Sequence, residues 1–164
     1  MTDFRYVGWA EYGNLTEALA EKVRLSGKTF DLVIGIARGG IPVAMVVSDR
    51  LGVKIDTITV KSYSGIAERG SVRILSTLTE DIKGKRVLLV DDLVDQGDTM
   101  SGVKGFLSEK GAKVVETAVL FKKPWSKIKP DYFLERTGEW LVFPFELSEV
   151  NSLRKSREEA LQGQ

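Results

Sequence analysis

Apolar residues occur along the chain either in short unbroken runs or at helical spacing, with polar loops between them. Short runs rich in Val, Ile and Leu predict buried or half-buried strands, at residues 32–36, 55–60, 87–90, 113–121 and 131–134. Apolar positions three and four residues apart predict helices at residues 9–25, 42–51 and 99–110. Because strands and helices alternate, we expect an α/β fold with a central, mostly parallel sheet flanked by helices.

Length and composition narrow the class of protein. With 164 residues, 43% of them apolar, we expect one globular domain over residues 1–146, followed by a charged helix or tail over residues 147–164. A net charge of +1 speaks against nonspecific nucleic-acid binding. No apolar stretch is long enough for a membrane span and the first residues lack a secretory pattern, so we expect a cytoplasmic protein.

Cysteine and histidine are both absent from the chain. Their absence excludes disulfides, thiol nucleophiles, the usual zinc clusters and every histidine-based catalytic triad. Any metal should therefore be bound by oxygen atoms, and Mg²⁺ is the leading candidate.

Acidic residues follow the buried run at 87–90. Asp91 and Asp92 stand at the predicted strand end, where ligands bind in open α/β sheets, and adjacent carboxylates suit the hydroxyls and the developing positive charge of a sugar. Downstream, Gly97 permits a tight turn, Thr99 offers a hydroxyl, and the amides of a helix start favour a phosphate. Any one acid alone more often solvates a strand end or caps a helix. Together the residues indicate a site for a ribose 5-phosphate.

The sequence VLLVDDLVDQGDT closely resembles the phosphoribosyl pyrophosphate signature of type I phosphoribosyltransferases. The resemblance implies that Asp91 and Asp92 bind the ribose hydroxyls and Mg²⁺, and that Asp95 handles the proton on the five-membered ring of a purine. It assigns five residues to the 5-phosphate: Asp95, Gln96, Gly97, Asp98 and Thr99. The family commonly has Thr where this chain has Gln96, which removes a hydroxyl contact.

A second loop, Ala37-Arg38-Gly39-Gly40, lies between a predicted strand and helix, with Pro42 suited to the first helical turn. Paired glycines let backbone amides approach an anion, and Arg38 adds a planar set of donors. IGIARGGIPVA resembles the pyrophosphate loop of the same family, in particular its 6-oxopurine branch. That likeness implies pyrophosphate contacts from Arg38, Gly39 and Gly40, together with a cis peptide bond between Ala37 and Arg38.

The stretch after the predicted strand at 55–60 also matches the family. Lys61 is a further candidate for the pyrophosphate charge, and Ser62 and Tyr63 resemble the pair that precedes a flexible loop closing over the donor. We expect this loop at residues 64–72, where the sequence has glycines and charges but no apolar period. An ordinary solvated hairpin is the alternative.

Near the carboxyl terminus, Lys122-Lys123-Pro124-Trp125 and residues 138–146 resemble the base-binding end of bacterial and archaeal 6-oxopurine enzymes. The likeness implies a small base-binding hood. In it Lys123 would donate to the exocyclic oxygen of the purine, Trp140 would stack on the ring, and the Leu141 backbone would face its two-position. Lys122 competes with Lys123 for this role, and Trp125 competes with Trp140.

The resemblance implies purine salvage, in which Mg²⁺ assists transfer of the 5-phosphoribosyl group from phosphoribosyl pyrophosphate to hypoxanthine, guanine or xanthine. It also implies a homodimer or homotetramer. An adenine-specific phosphoribosyltransferase and a regulator that binds phosphoribosyl pyrophosphate without using it remain the alternatives. The sequence does not rank the three bases.

Overall fold

A computed structural model of the chain describes residues 4–62 and 72–146. Its helices are α1 (Trp9–Leu25), α2 (Gly40–Leu51) and α3 (Asp98–Glu109). Its strands are β1 (Phe4–Tyr6), β2 (Leu32–Ala37), β3 (Lys54–Ser62), β4 (Val72–Ile74), β5 (Arg86–Val94), β6 (Val114–Lys122), β7 (Tyr132–Arg136) and β8 (Trp140–Val142). No helix among these is long and apolar enough to cross a membrane.

The central sheet has six strands in the order β4-β3-β2-β5-β6-β7. All neighbours pair in parallel except β3 and β4. From β2 the chain runs outward through β3, and from β5 it runs outward in the opposite direction through β6, so the strand order reverses between β2 and β5. Open α/β sheets bind their ligands at such a reversal, beyond the carboxyl ends of the strands. The predicted α/β class with a mostly parallel sheet is confirmed.

Helices cover both faces of this sheet. Ile34 and Ile36 of β2 pack with the apolar face of α3, formed by Met100, Val103 and Leu107. Between them, Gly35 points to the other face, where a Cβ would lie 2.8 Å from the Cβ of Ala44 in α2. Since side chains alternate across a strand, α2 and α3 lie on opposite faces, and the missing side chain lets α2 approach β2 closely.

Four strands differ from the prediction. Strand β5 was expected to end at residue 90 but continues to Val94, because β6 offers backbone partners as far as Lys122. Asp91 and Asp92 therefore lie within the strand and not after it. Val72, which was expected in the loop, begins β4 and pairs with Ser62. Strands β3 and β4 therefore form an antiparallel pair. Strands β1 and β8 were not predicted, because three residues each carry too little pattern.

The chain divides into two compact units, one formed by the two chain ends, up to Asn14 and from Gly138, and one formed by Leu15–Thr137. In the first unit, β1 and β8 pair in parallel, and Arg5 binds Glu11 at 2.7 Å. The Tyr12 ring meets Phe143 and Phe145 edge-on, at centroid distances of 5.9 and 5.6 Å. The second unit holds the six-stranded sheet. The expected tail boundary at residue 147 lies outside the described residues and stays a prediction.

Candidate active site

The carboxyl ends of the parallel strands bring several of the predicted residues to one edge of the sheet. Arg38 follows β2 directly, and Lys61 lies near the end of β3, two residues beyond Thr59, which pairs with Ala37. The acidic stretch ends β5, and Lys123 follows β6. Arg38, Lys61, the acidic stretch and Lys123 therefore lie at the same edge of the sheet.

Gly39 and Gly40 sit where β2 and β5 adjoin. A Cβ at Gly39 would overlap the Asp92 carboxylate, lying 2.5 Å from Cγ and 2.8 Å from Oδ1. A Cβ at Gly40 would overlap the carbonyl oxygen of Val90 and lie 3.0 Å from the Cα of Asp91. Close approach is therefore what requires glycine at both positions. The peptide bond between Ala37 and Arg38 is cis, which confirms that expectation.

Asp91 and Asp92 form an adjacent acid pair at this contact. The Asp92 N–H donates to Asp91 Oδ1 at 3.0 Å, and the Asp92 side chain is 9% exposed. Burial raises the pKa of Asp91 well above its usual value, and the neighbouring charge of Asp92 raises it further. Ionisation of Asp91 beside Asp92 is therefore disfavoured, and a cation bound at the pair would favour it.

The turn after β5 leads directly into α3. Gly97 has φ +99°, a left-handed conformation that other residues rarely adopt, and it immediately precedes α3. Asp98 is the first residue of α3 and not its N-cap, and its Oδ1 lies 3.4 Å from Lys127 Nζ. Gln96 is exposed and Thr99 is half-buried. The helix amides supply positive potential at this turn, and Lys127 offsets the negative charge of Asp98.

A loop after β6, residues 123–128, lies on the acidic turn at residues 94–98. Two backbone bonds join them: Lys123 N–H donates to the Val94 carbonyl at 2.9 Å, and Lys127 N–H donates to the Gln96 carbonyl at 3.1 Å. Between these, the Trp125 indole Nε1–H donates to Asp95 Oδ1 at 2.6 Å. We name residues 123–128 the lysine loop.

The two candidate lysines occupy different environments. The Lys123 side chain is buried, and its Nζ lies 5.6 Å from the centroid of the Trp125 ring. Lys122 is the last residue of β6 and is only half-buried, and its Nζ donates to the Lys123 carbonyl at 3.4 Å. The structure thus places Lys123, and not Lys122, with Asp95 and Trp125 in one cluster.

The remaining predicted residues are Ser62, Tyr63, Trp140 and Leu141. Trp140 and Leu141 belong to the unit formed by the chain ends; Trp140 is 56% exposed and Leu141 is buried. Ser62 ends β3. Tyr63 and most of the predicted loop lie outside the described residues.

Comparison with known proteins gives the family. Residues 8–150 match the phosphoribosyl transferase domain. The chain belongs to this family. It is 29% identical, over 87% of its length and 86% of the relative, to a xanthine-guanine phosphoribosyltransferase of Idiomarina loihiensis.

Solved structures agree with this assignment. A purine phosphoribosyltransferase from Pyrococcus horikoshii is 40% identical to the chain, with a TM-score of 0.78 over 88% of this chain and 94% of that one. A Neisseria gonorrhoeae protein with bound ppGpp is 26% identical, with a TM-score of 0.73 over 95% and 98%. The predicted resemblance to type I phosphoribosyltransferases, and to their purine-specific members, is confirmed.

The acid pair of this phosphoribosyl transferase domain fits Mg²⁺ by its donor chemistry. Mg²⁺ is typically held by one or two carboxylates together with substrate oxygens and water. Asp91 and Asp92 supply two carboxylates whose mutual repulsion a cation relieves. Among residues 4–62 and 72–146, no group of three or more acidic side chains could hold a metal by itself. These residues therefore suit an ion that arrives with a phosphorylated substrate.

Sequence reasoning missed Lys127 and considered Trp125 only as an alternative stacking ring. Lys127 places its charge beside Asp98, and Trp125 bonds Asp95 while lying under Lys123. The cluster of lysines around Trp125 was a visible signal of positive charge. Which acid each of them meets depends on how β5 and β6 pair, which the sequence pattern does not state.

Proposed function

We propose that this protein transfers the 5-phosphoribosyl group of phosphoribosyl pyrophosphate to a 6-oxopurine base, giving a nucleoside monophosphate and pyrophosphate. The observation that carries the proposal is the contact of Gly39 and Gly40 with the acid pair of β5, at the point where the strand order reverses. An anion-binding loop and a sugar-binding pair meet there, as one phosphorylated sugar requires. The named activities of the relatives from Idiomarina and Pyrococcus support the same reaction.

Charge balance explains which residues act on the ribose and which act on pyrophosphate. As the bond between the anomeric carbon and pyrophosphate lengthens, the ribose becomes cationic and the leaving group anionic. Asp91 and Asp92 stabilise the ribose, while Arg38, Lys61 and the loop amides of residues 39–40 stabilise pyrophosphate. When bound, Mg²⁺ held by the acid pair supplies further positive charge to the donor's oxygens.

The 5-phosphate is proposed to bind the turn that begins at Asp95. Gly97 allows the turn, the first amides of α3 donate to the phosphate oxygens, and Thr99 adds a hydroxyl. Gln96 is exposed, so its amide is free to turn toward the phosphate in place of the usual hydroxyl. Lys127 offsets the negative charge of Asp98 at the same turn.

The base is proposed to lie beside the lysine loop. Asp95 accepts the proton from the five-membered ring of the base. Lys123 donates a hydrogen bond to the 6-oxo group, and a 6-amino group cannot accept this bond. One hydrogen bond to a charged group is worth roughly 1.5 to 3 kcal/mol, or about 10- to 100-fold in discrimination. Stacking by Trp140 and recognition of the two-position by the Leu141 backbone stay predictions.

Two alternatives make different predictions from the same site. An adenine-specific enzyme would gain nothing from a buried lysine at the base. A regulator would bind the donor without turnover. The neighbour from Neisseria was solved with ppGpp, a guanine nucleotide that carries two pyrophosphate groups, and this supports a site suited to guanine and pyrophosphate chemistry.

The expected homodimer or homotetramer stays a prediction that light scattering would check.

The test is one panel of reactions with phosphoribosyl pyrophosphate, Mg²⁺ and each of hypoxanthine, guanine, xanthine and adenine. Pyrophosphate release and the nucleotide product are measured for every base. We expect turnover with at least one oxo base and a preference over adenine of about tenfold or more. Preference for adenine would support the adenine-specific enzyme, and donor binding without turnover would support the regulator.

A further inference from the structure

We propose that Trp125 is a positioning residue that orients Asp95 for proton transfer and Lys123 for recognition of the oxo group. The inference rests on the proposed function, in which these two side chains serve the base. Neither the comparisons nor the sequence pattern assigns this role to Trp125. One side chain would then link the two groups that act on the two rings of the purine.

The contact with Asp95 orients a carboxylate and leaves it usable. The Trp125 indole Nε1–H donates to Oδ1 at 2.6 Å, a short bond to one of the two carboxylate oxygens. A carboxylate has two oxygens with about four acceptor positions, so Oδ2 stays available for the purine N–H. The arrangement follows a general catalytic pattern, in which a third group orients the residue that accepts the proton.

The same indole faces the lysine. Lys123 Nζ lies 5.6 Å from the ring centroid, within the distance at which a cation is attracted to an aromatic face. Lys123 is buried, and a long flexible side chain loses conformational freedom when it is held in one place. The ring thus restricts where the ammonium group points, which matters for a donor that must meet one oxygen of the base.

The backbone around Trp125 is fixed to the acidic turn on both sides. Lys123 N–H binds the Val94 carbonyl at 2.9 Å, and Lys127 N–H binds the Gln96 carbonyl at 3.1 Å. Trp125 itself remains 51% exposed, so burial is not what holds its ring. The described contacts of the Trp125 ring are its hydrogen bond to Asp95 and its position under Lys123. These contacts, and not packing in the core, explain why a large aromatic residue stands at this exposed position.

Two substitutions separate the two contacts. Trp125→Phe keeps an aromatic face under Lys123 and removes the N–H, whereas Trp125→Leu removes both. We expect Trp125→Phe to lower kcat about fivefold to tenfold, with the KM for phosphoribosyl pyrophosphate within twofold and the base preference retained. Trp125→Leu should lower kcat similarly and also reduce the preference for oxo bases severalfold. Trp9→Phe, the same change at another exposed tryptophan, is the matched control.

A double-mutant cycle distinguishes positioning from a merely structural role. In an Asp95→Asn background, where the proton acceptor is already lost, Trp125→Phe should change the residual kcat by less than twofold. An equal loss in both backgrounds, or wild-type kcat in Trp125→Phe, would overturn the inference. Thermal unfolding of each variant shows whether the fold is kept. If the wild type turns over no base, the proposed function fails. If the wild type is active and the Trp125 variants have the same kcat and base preference, the inference alone fails.

Discussion

Replacing Gly39 by alanine tests the contact on which the site assignment depends. The added Cβ would lie 2.5 Å from Asp92 Cγ and 2.8 Å from Oδ1, separations that real Cβ atoms do not adopt. Gly39 has φ −60° and ψ −36°, which alanine adopts without strain, so the overlap is the whole perturbation. The Asp92 carboxylate must therefore move away from the glycine loop.

The size of the effect follows from what has to move. Overpacking a closed site costs about 1 to 3 kcal/mol, and the side chain of Asp92 relieves part of this by rotating, since only its far end is struck. Rotation removes the carboxylate from the proposed sugar site. We expect kcat/KM for phosphoribosyl pyrophosphate to fall about 10- to 100-fold, while the melting temperature falls by about 2 to 4 °C per kcal/mol.

Two other glycines provide the comparison. Gly105→Ala lies in α3 with open space around the added Cβ, so it should leave turnover unchanged and stabilise the helix by up to about 1 kcal/mol. Gly40→Ala drives its Cβ into the Val90 carbonyl, which is backbone and cannot rotate away, so it should destabilise far more than Gly39→Ala. Initial rates at varied donor concentration, with melting curves, measure all three. Wild-type kcat/KM in a folded Gly39→Ala variant would refute the reasoning.

Three further outcomes are expected. Asp95→Asn should lower kcat at least 100-fold with little change in donor KM, because an amide cannot accept the purine proton; unchanged turnover would remove that role. Lys123→Ala should reduce the preference for oxo bases over adenine about 10- to 100-fold, while Lys122→Ala, the control, should not. Asp91→Asn should raise the melting temperature of the ligand-free protein at neutral pH, because burial and Asp92 raise the pKa of Asp91 and its ionised form is the costly one. This gain should shrink as pH falls and Asp91 becomes protonated; a gain that grows with acidity would contradict the assignment.

Much of the fold was predictable because its signals are local. Helix α1 was predicted at residues 9–25 and found there. A long amphipathic pattern can be recognised without knowing which elements the helix packs against. The start of α2 followed from two glycines and Pro42 after a buried strand. The cis bond between Ala37 and Arg38 was not predictable from any local pattern and came only from family resemblance.

The parts that the sequence did not reveal depend on pairing between distant segments. Strand β5 continues through Asp91 and Asp92 because β6 supplies hydrogen bonds whatever the side chains are, whereas the apolar pattern stops at Val90. The bond from Trp125 to Asp95 joins residues 30 positions apart and exists only because the loops after two adjacent parallel strands share an edge. Such contacts follow from register, which binary patterning does not specify.

The acid pair is poorly suited to stabilising the fold, which supports its proposed role in binding a ligand. Asp91 and Asp92 follow four fully buried apolar residues in one strand, where further apolar side chains would stabilise the sheet. Instead the chain places two like charges side by side, and burial with the neighbouring charge raises the pKa of Asp91. Local choices that oppose stability are expected at functional sites, where a bound partner offsets them. Gly39 packs directly against the same pair, and the proposed sugar phosphate at the strand reversal would account for both the destabilising charges and this close approach.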